Sequence, residues 1–300
     1  MTNEYLLHLQ GLKYTDSKMK TKWTIGIALV VLFFSACNQA QTKLDSLKNK
    51  SKSVEERRLK GDSTVYGIAC EGCNDSVIIL LPTDGSDPIR YNCYDASQNG
   101  KIIGKPTTGD RIGVMVNNHD KKKVDLVINI EELKGIWCYV VMPKMRDWEH
   151  MSESLQQRIE RNMPDSVKAT YMIPREYGFW MKRNWECQSV GYISEASSIE
   201  AESPVVYPQL GNFTEWHIWN GKLIVVNGTP QLSPTDNKLS VINLQYDTCN
   251  IDYLGPDSLV LSDCWGTRSY YRKNDINDIN VKAKQIIAEL KAKALRKTTK

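Results

Sequence analysis

The sequence has little of what most enzyme and metal sites require. Only four of its 300 residues are histidines, and no two of them have the spacing that would bring them together on one helix or strand. No Gly-x-Ser-x-Gly, P-loop or Gly-x-Gly-x-x-Gly motif occurs. Carboxylates are plentiful, but the local sequence singles out no pair. We therefore expect a non-enzymatic protein without catalytic residues, metal ligands or a cofactor.

A large excess of charge of one sign and a long apolar run are also missing. The 39 basic and 35 acidic residues leave a formal net charge of +4, which is too small to indicate nucleic-acid binding. No apolar run reaches the roughly 20 residues of a membrane-spanning helix. Hydrophobic residues at 41% and charged residues at 25% are ordinary for a globular protein, and the length suggests about two domains.

A short apolar run near the N-terminus has the features of an export signal. Three lysines within residues 18–22 precede the apolar stretch 23–34, and two small residues, Ser35 and Ala36, follow it. A basic stretch, a short apolar core and small residues before a cleavage site are the parts of a secretory signal. We expect residues 19–36 to be the signal peptide. The polar residues 1–18 before it are then a misassigned start.

The residues Phe34-Ser35-Ala36-Cys37 resemble the lipobox of Gram-negative bacterial lipoproteins. In that family the cysteine is acylated on its sulfur and, after cleavage, on its amino group, so the resemblance implies that Cys37 carries fatty acyl chains such as palmitate. Several acyl chains anchor a protein stably to a membrane. Asn38 at the next position favours the outer membrane and leaves the periplasmic or surface face open. The alternative is a buried apolar helix with an incidental cysteine.

Two β-rich units are predicted after a polar tether at residues 37–60. In residues 61–131, short runs with strand-like composition or alternation are bounded by turn residues, which is typical of half-buried strands. These runs are Thr64–Ala69, Ser76–Leu81, Ile89–Tyr94, Ile112–Val116 and Val124–Ile130. We predict a small β-barrel or sandwich of OB-like or SH3-like size.

The second unit, residues 132–274, is predicted to be antiparallel β with one early helix. Apolar residues at helical spacing predict that helix over 148–162, ending before Pro164. Asn220-Gly221 between two apolar runs predicts a type I′ hairpin turn. In the resulting register one face carries four apolar residues, Trp216, Ile218, Leu223 and Val225. The last segment, residues 275–300, is predicted to be an amphipathic helix.

Gly135 and Trp137 open this second unit, and Arg272 lies near its end. The Gly-x-Trp pair resembles the signature that begins lipocalins, which are antiparallel eight-stranded barrels with one closed and one open end. The resemblance covers residues 132–273. It implies that Trp137 lies at the closed end beneath the guanidinium of Arg272, and that Gly135 lets the chain pass close to that floor.

A barrel of this size holds one small ligand or is filled by its own side chains. The first alternative makes the protein a binder of an apolar or amphipathic small molecule, with Trp180, Trp185 and Trp216 as possible wall residues. The second makes it a structural lipoprotein that contacts protein or glycan. His217, next to Trp216 on the opposite face, is expected at the surface or rim.

The eight cysteines leave seven besides the predicted anchor, so at least one is unpaired within the chain. Cys249 and Cys264 are symmetric about a turn near Pro256 and are predicted to form a disulfide across a hairpin. Cys70 and Cys73 form a C-x-x-C pair, which is a structural turn, a redox pair or half of a metal site. Only Cys93 and His119 are available as further ligands in this unit.

Overall fold

The strands and helices come from a computed structural model that describes residues 58–193, 203–232 and 239–298. All these elements belong to one compact unit, Leu59–Lys300. The predicted start segment, the signal peptide, Cys37 and nearly all of the tether lie outside the described residues.

The first β unit is a six-stranded sheet with the strand order β3-β2-β1-β5-β6-β4. Its strands are β1 Val65–Ala69, β2 Val77–Pro82, β3 Ile89–Asn92, β4 Ile102–Ile103, β5 Arg111–Val116 and β6 Val124–Asn129. A bridge between Asn92 and Lys123 connects the end of β3 to the start of β6, so strands from the two sides of the sheet meet there. All five predicted strands are confirmed, because their alternating residues fill one core, including Ile78, Leu80, Ile112, Val114 and Val127.

Two short helices accompany this sheet. Helix α1, Tyr94–Gln98, separates β3 from β4, and helix α2, Ile130–Leu133, leads out of β6. The side chain of Asn129 begins α2 by accepting hydrogen bonds from the N–H groups of Glu131 and Glu132. The predicted boundary at residues 131 and 132 therefore falls inside this helix.

The second β unit is an eight-stranded antiparallel sheet with the order β10-β9-β7-β16-β15-β14-β13-β12. Its strands are β7 Gly135–Val141, β9 Arg175–Met181, β10 Cys187–Val190, β12 Phe213–Trp219, β13 Lys222–Leu232, β14 Leu239–Leu254, β15 Ser258–Asp263 and β16 Gly266–Lys273. The edge strands β10 and β12 approach each other through a bridge between Glu186 and Glu215. The sheet is therefore a nearly closed barrel, which confirms the predicted fold class.

A cap, defined as residues 142–174 and 203–207, lies at one end of the barrel, because β7 ends there and β9 begins there. It contains the two-stranded sheet of β8 Lys144–Met145 and β11 Val205–Val206, and the helices α3 Glu153–Asn162 and α4 Asp165–Tyr171. The helix predicted from residue 148 begins only at Glu153, because the side chain of Ser152 caps it by accepting from the Leu155 N–H. Neither α3 nor α4 has a buried residue.

The predicted hairpin turn at Asn220-Gly221 is confirmed. Both residues have positive φ, 48° and 81°, as a type I′ turn requires. Trp216 lies opposite Val225 and Ile218 lies opposite Leu223, as the predicted register demands. All four of these side chains are buried in the core of the barrel.

The C-terminal segment forms helix α5, Val281–Thr298, as predicted. Asn280, immediately before it, has a φ of 60° and joins it to the barrel. Its side chain accepts from the Glu176 N–H at 2.6 Å and donates to the carbonyl oxygens of Glu176 and Gly191. In the described ranges no helix has the length and apolar content needed to cross a membrane.

Candidate ligand site at the open end of the barrel

The structure brings Gly135, Trp137 and Arg272 together at the closed end of the barrel. The Arg272 guanidinium lies 4.1 Å from the centroid of the Trp137 ring, and its N–H groups donate to the carbonyl oxygens of Lys134 and Glu132 at 2.6 Å and to that of Pro256. Gly135 has a φ of 131°, and a Cβ there would overlap the guanidinium. The three residues form the floor that the resemblance implies.

Above this floor the lower half of the barrel is filled by side chains. Trp137, Met181 and Leu259 are each 0% exposed, and Trp216 is 1% exposed. A cavity large enough for a ligand would leave water-accessible surface on its walls, and these walls have none. The lower half of the barrel is therefore a packed core.

The three tryptophans predicted as ligand walls do not line a common site. Trp185 and Trp216 contact each other in the core, with ring centroids 4.9 Å apart. Trp180 alternates with the inward-facing Phe179 and Met181, so it lies on the outer face of β9. The prediction of Trp180 as a wall residue is wrong, because the register of β9 turns it away from the interior.

His217 is buried at 5% exposure, so the expectation of a surface or rim position is wrong. Trp185 covers it with a stacked ring at 5.8 Å, and Glu215 lies 3.0 Å from its Nε2. Trp185 reaches both Trp216 and His217 because it follows β9 in a turn beside the edge of β12.

Strands β9, β7 and β16 stack their inward-facing residues in three tiers. Trp137 lies opposite Phe179 and Arg272, which makes the floor tier. Two residues further along each strand lies a tyrosine tier of Tyr177, Tyr139 and Tyr270. Continuing the register by two more residues gives a rim tier at the open end: Arg175, Val141 and Arg268.

In the tyrosine tier, Tyr139 keeps contact with solvent, whereas Tyr177 and Tyr270 are buried. The rings of Tyr139 and Tyr270 meet edge to face at 5.4 Å, and Phe179 lies 5.1 Å from Tyr270. Tyr139 is partly exposed, and so is Phe213 at the start of β12. We call this aromatic surface, formed by the tyrosine tier and Phe213, the cup. Partly exposed aromatic surface inside a barrel is typical of a shallow ligand site.

The two arginines of the rim tier lie on aromatic rings. Arg268 lies 4.4 Å from the centroid of Tyr139, and Arg175 lies 3.4 Å from the centroid of Tyr207 in the cap. Tyr207 donates at 2.7 Å to the carbonyl oxygen of Ile173, which joins the two segments of the cap just before β9. The mouth of the cup is thus aromatic and cationic.

Burial changes the acidity of the tyrosines in the cup. It raises the pKa of Tyr270 to about 12, although the nearby Arg268 lowers it. Burial also raises the pKa of Tyr139, with Arg268 opposing. Both phenols are therefore neutral at physiological pH and able to donate hydrogen bonds.

The predicted disulfide between Cys249 and Cys264 is not formed, and both cysteines are free. A bulge between Ile251 and Tyr253 shifts the register, so that Asn250 lies opposite Ser262. Cys249 then falls opposite Asp263, on the buried face. Cys264 lies exposed in the turn between β15 and β16.

The C-x-x-C pair lies where the hairpin of β1 and β2 turns. Cys70 donates its N–H to the Ile79 carbonyl at 2.8 Å, and the Sγ of Cys73 accepts from the Ile79 N–H at 3.3 Å. The Cys93 thiol lies 3.5 Å from the carbonyl oxygen of Asn74, in the same corner. All three cysteines are free, and the described residues contain no group of His, Cys, Asp and Glu able to hold a metal.

No family model matches the chain, and no curated protein matches it. Among solved structures, the chain is similar to a lipocalin-like protein from Bacteroides thetaiotaomicron VPI-5482. The two are 15% identical with a TM-score of 0.24, and the match covers 47% of this chain and 97% of that one.

The sequence interpretation missed the residues of the cup. Arg268, Tyr270 and Arg272 alternate along β16, and this period of two was visible beside the predicted floor arginine. Which strands flank β16, and hence which tyrosines meet Arg268, follows only from the closed barrel.

Proposed function

We propose that this chain is a lipid-anchored, non-enzymatic protein of the cell envelope that binds one small amphipathic molecule at the open end of its barrel. The observation that carries the proposal is the contrast between the packed residues around Trp137 and the aromatic pair Tyr139 and Phe213, which stay partly exposed. Ligand sites are typically apolar concavities with a few polar groups that orient the ligand. Here the tyrosine tier supplies the apolar walls, and the rim tier supplies the polar groups.

The packed floor limits the ligand to the upper part of the barrel. Its apolar part lies against Tyr139, Tyr270 and Phe213, and its polar part faces the rim tier. A long chain has no room to descend towards Trp137, so a compact ligand fits better than a fully enclosed long acyl chain.

Two tryptophan substitutions on neighbouring residues of β7 test the proposal. Val141 is buried in the rim tier, whereas Val140 is 56% exposed on the outer face of the same strand. Val141→Trp should fill the cup and weaken binding of the neutral probe N-phenyl-1-naphthylamine about tenfold or more. Val140→Trp should leave that binding at the wild-type value.

Fluorescence titration of both variants measures the effect, and circular dichroism and thermal unfolding establish that each variant is folded. Equal binding by the two folded variants, or no binding by the wild type, would contradict a site in the cup. That outcome would favour the second candidate, a structural lipoprotein that contacts protein or glycan. The exposed Leu232, Leu244 and Tyr246 on β13 and β14 favour such contacts.

The proposed membrane anchor is tested separately. The basic stretch, the apolar run 23–34 and the small residues before Cys37 support acylation of Cys37 and an outer-membrane location. Cells fed an alkyne-tagged palmitate should label the wild-type protein, and Cys37→Ser should remove the label and release the protein from the membrane fraction. Undiminished labelling of Cys37→Ser would overturn the anchor.

A further inference from the structure

Arg268 is the charged group of the cup that has hydrogen-bond donors to spare. A guanidinium has five N–H donors. Its face rests on Tyr139, which uses none of them, and the side chain of Tyr270 lies beside it. In the described part of the chain, no carboxylate forms an ion pair with Arg268, although Asp263 lies near enough to influence it.

The carboxylates around the mouth have other partners. Asp263 accepts the N–H groups of Trp265 and Gly266 at 2.7 and 3.1 Å and thereby closes the turn between β15 and β16. Asp247 accepts a hydrogen bond from the side-chain amide of Asn227 across β13 and β14. Their charges moderate the positive potential of the mouth, and among the described residues neither of them forms an ion pair with Arg268.

Tyr270 lies beside Arg268 and adds a neutral donor. In the part of the chain that the structure describes, no group accepts its O–H. A guanidinium and a phenol that both present donors to one opening are complementary to a group with several acceptor oxygens. The aromatic surface of Tyr139 and Phe213 adjoins this pair.

We propose that the ligand of the cup carries an acidic head group, a carboxylate or a phosphate monoester, which Arg268 and Tyr270 bind together. The apolar part of the ligand lies against the tyrosine tier. This inference rests on the proposed function and names the ligand class of the same site. The contacts of the head group are charge-assisted hydrogen bonds, which are about twice as strong as neutral ones.

Four compounds with one decyl tail and different heads test the inference by displacing N-phenyl-1-naphthylamine at neutral pH. They are decanoate, monodecyl phosphate, decanol and decyltrimethylammonium. The wild type should prefer one or both anions to decanol by about 10- to 100-fold. The stronger of the two anions distinguishes a carboxylate from a phosphate head.

Arg268→Gln should remove the preference for the anions over decanol. The variant should still bind the neutral probe. Arg90→Gln, which removes an exposed arginine from the first sheet, should keep the preference. Binding of the neutral probe also establishes that the Arg268→Gln cup is folded.

Three outcomes would overturn the inference. Equal affinity of the wild type for decanol and both anions would show that the head group is not recognised by charge. An anion preference that survives in Arg268→Gln would assign recognition to another residue. Failure of the wild type to bind the neutral probe and all four compounds would overturn the proposed function together with it.

Discussion

Two arginines of β16, four residues apart, show how surroundings give one residue type two roles. Arg268 and Arg272 both lie over an aromatic ring, at 4.4 and 4.1 Å. Arg272 donates to the backbone carbonyl oxygens of Glu132, Lys134 and Pro256, so its role is structural. Arg268 has no such set of acceptors, and it faces the opening.

Arg272→Met should destabilise the fold because it strands the carbonyl oxygens of Glu132, Lys134 and Pro256. The bonds to Glu132 and Lys134 are half-buried and the bond to Pro256 is exposed, where water can replace the donor, so the free energy of unfolding should fall by about 1–3 kcal/mol. Gly135→Ala should also destabilise, through its positive φ and its overlap with Arg272. Urea unfolding measures both effects.

The control for Gly135 is Gly109, which has a φ of 94° and open space around it. Gly109→Ala introduces the backbone strain without the overlap. It should therefore lower the free energy of unfolding by less than Gly135→Ala does. The overlap should also vanish when Gly135→Ala is combined with Arg272→Ala, which makes the two costs less than additive. Additive costs would refute a direct contact.

Among the elements, α5 is joined to β9 by one half-buried carboxylate. Glu176 accepts from the Tyr271 hydroxyl at 2.6 Å, from the Lys273 ammonium at 2.7 Å and from the Asn280 N–H at 2.7 Å. Burial alone would raise the pKa of Glu176, but these three donors outweigh it and hold that pKa below its ordinary value. The same carboxylate raises the pKa of Tyr271 beyond the effect of burial.

The depressed pKa of Glu176 predicts a loss of stability in acid. Its contribution is complete above the unfolded-state pKa of about 4.5 and is lost as the pH falls through the lower, folded-state value. Glu176→Gln should lower the free energy of unfolding at neutral pH and flatten its pH dependence below about pH 4.5. Thermal unfolding from pH 3 to 7 measures the slope in wild type and variant, and parallel slopes would contradict the assignment.

The elements that could be predicted are those whose geometry is local. Asn220-Gly221 determines its own turn through two positive φ angles, and the register of β12 and β13 follows from it. The bulge between Ile251 and Tyr253 depends on packing against neighbouring strands, so the pairing of Cys249 could not be deduced from spacing. The start of α3 depends on the hydrogen bond that the Ser152 side chain accepts at the helix N-terminus, and hydrophobic periodicity does not detect such a bond.

For the molecule as a whole, the two β units share one hydrophobic core. Ile103, Ile128 and Leu133, which precede the barrel in the chain, pack in the same cluster as Trp137 and Trp216. The turn at Asn220 is also bound by the first unit, since its N–H donates to Asp62 at 3.0 Å. The tryptophans were therefore ambiguous in the sequence. The packing between the two β units buries aromatic residues that could equally well have been ligand-wall residues.

The residues at the floor of the barrel were predicted from the sequence, whereas the residues at the mouth of the cup were not. Gly135, Trp137 and Arg272 were expected together because of the resemblance to the signature that begins lipocalins. Arg175, Tyr139 and Arg268 come together only because β9, β7 and β16 are neighbours in the closed sheet, and no local pattern indicates which strands are adjacent.

Because α3 and α4 have no buried residues, we expect these two helices of the cap to be less stable than the barrel. Segments with few buried contacts open locally at a small fraction of the free energy of global unfolding. Amide hydrogens of Glu153–Asn162 and Asp165–Tyr171 should exchange with deuterium through such openings, long before those of β7 and β9. The route from solvent to the cup is then governed by a segment that can open while the barrel stays folded.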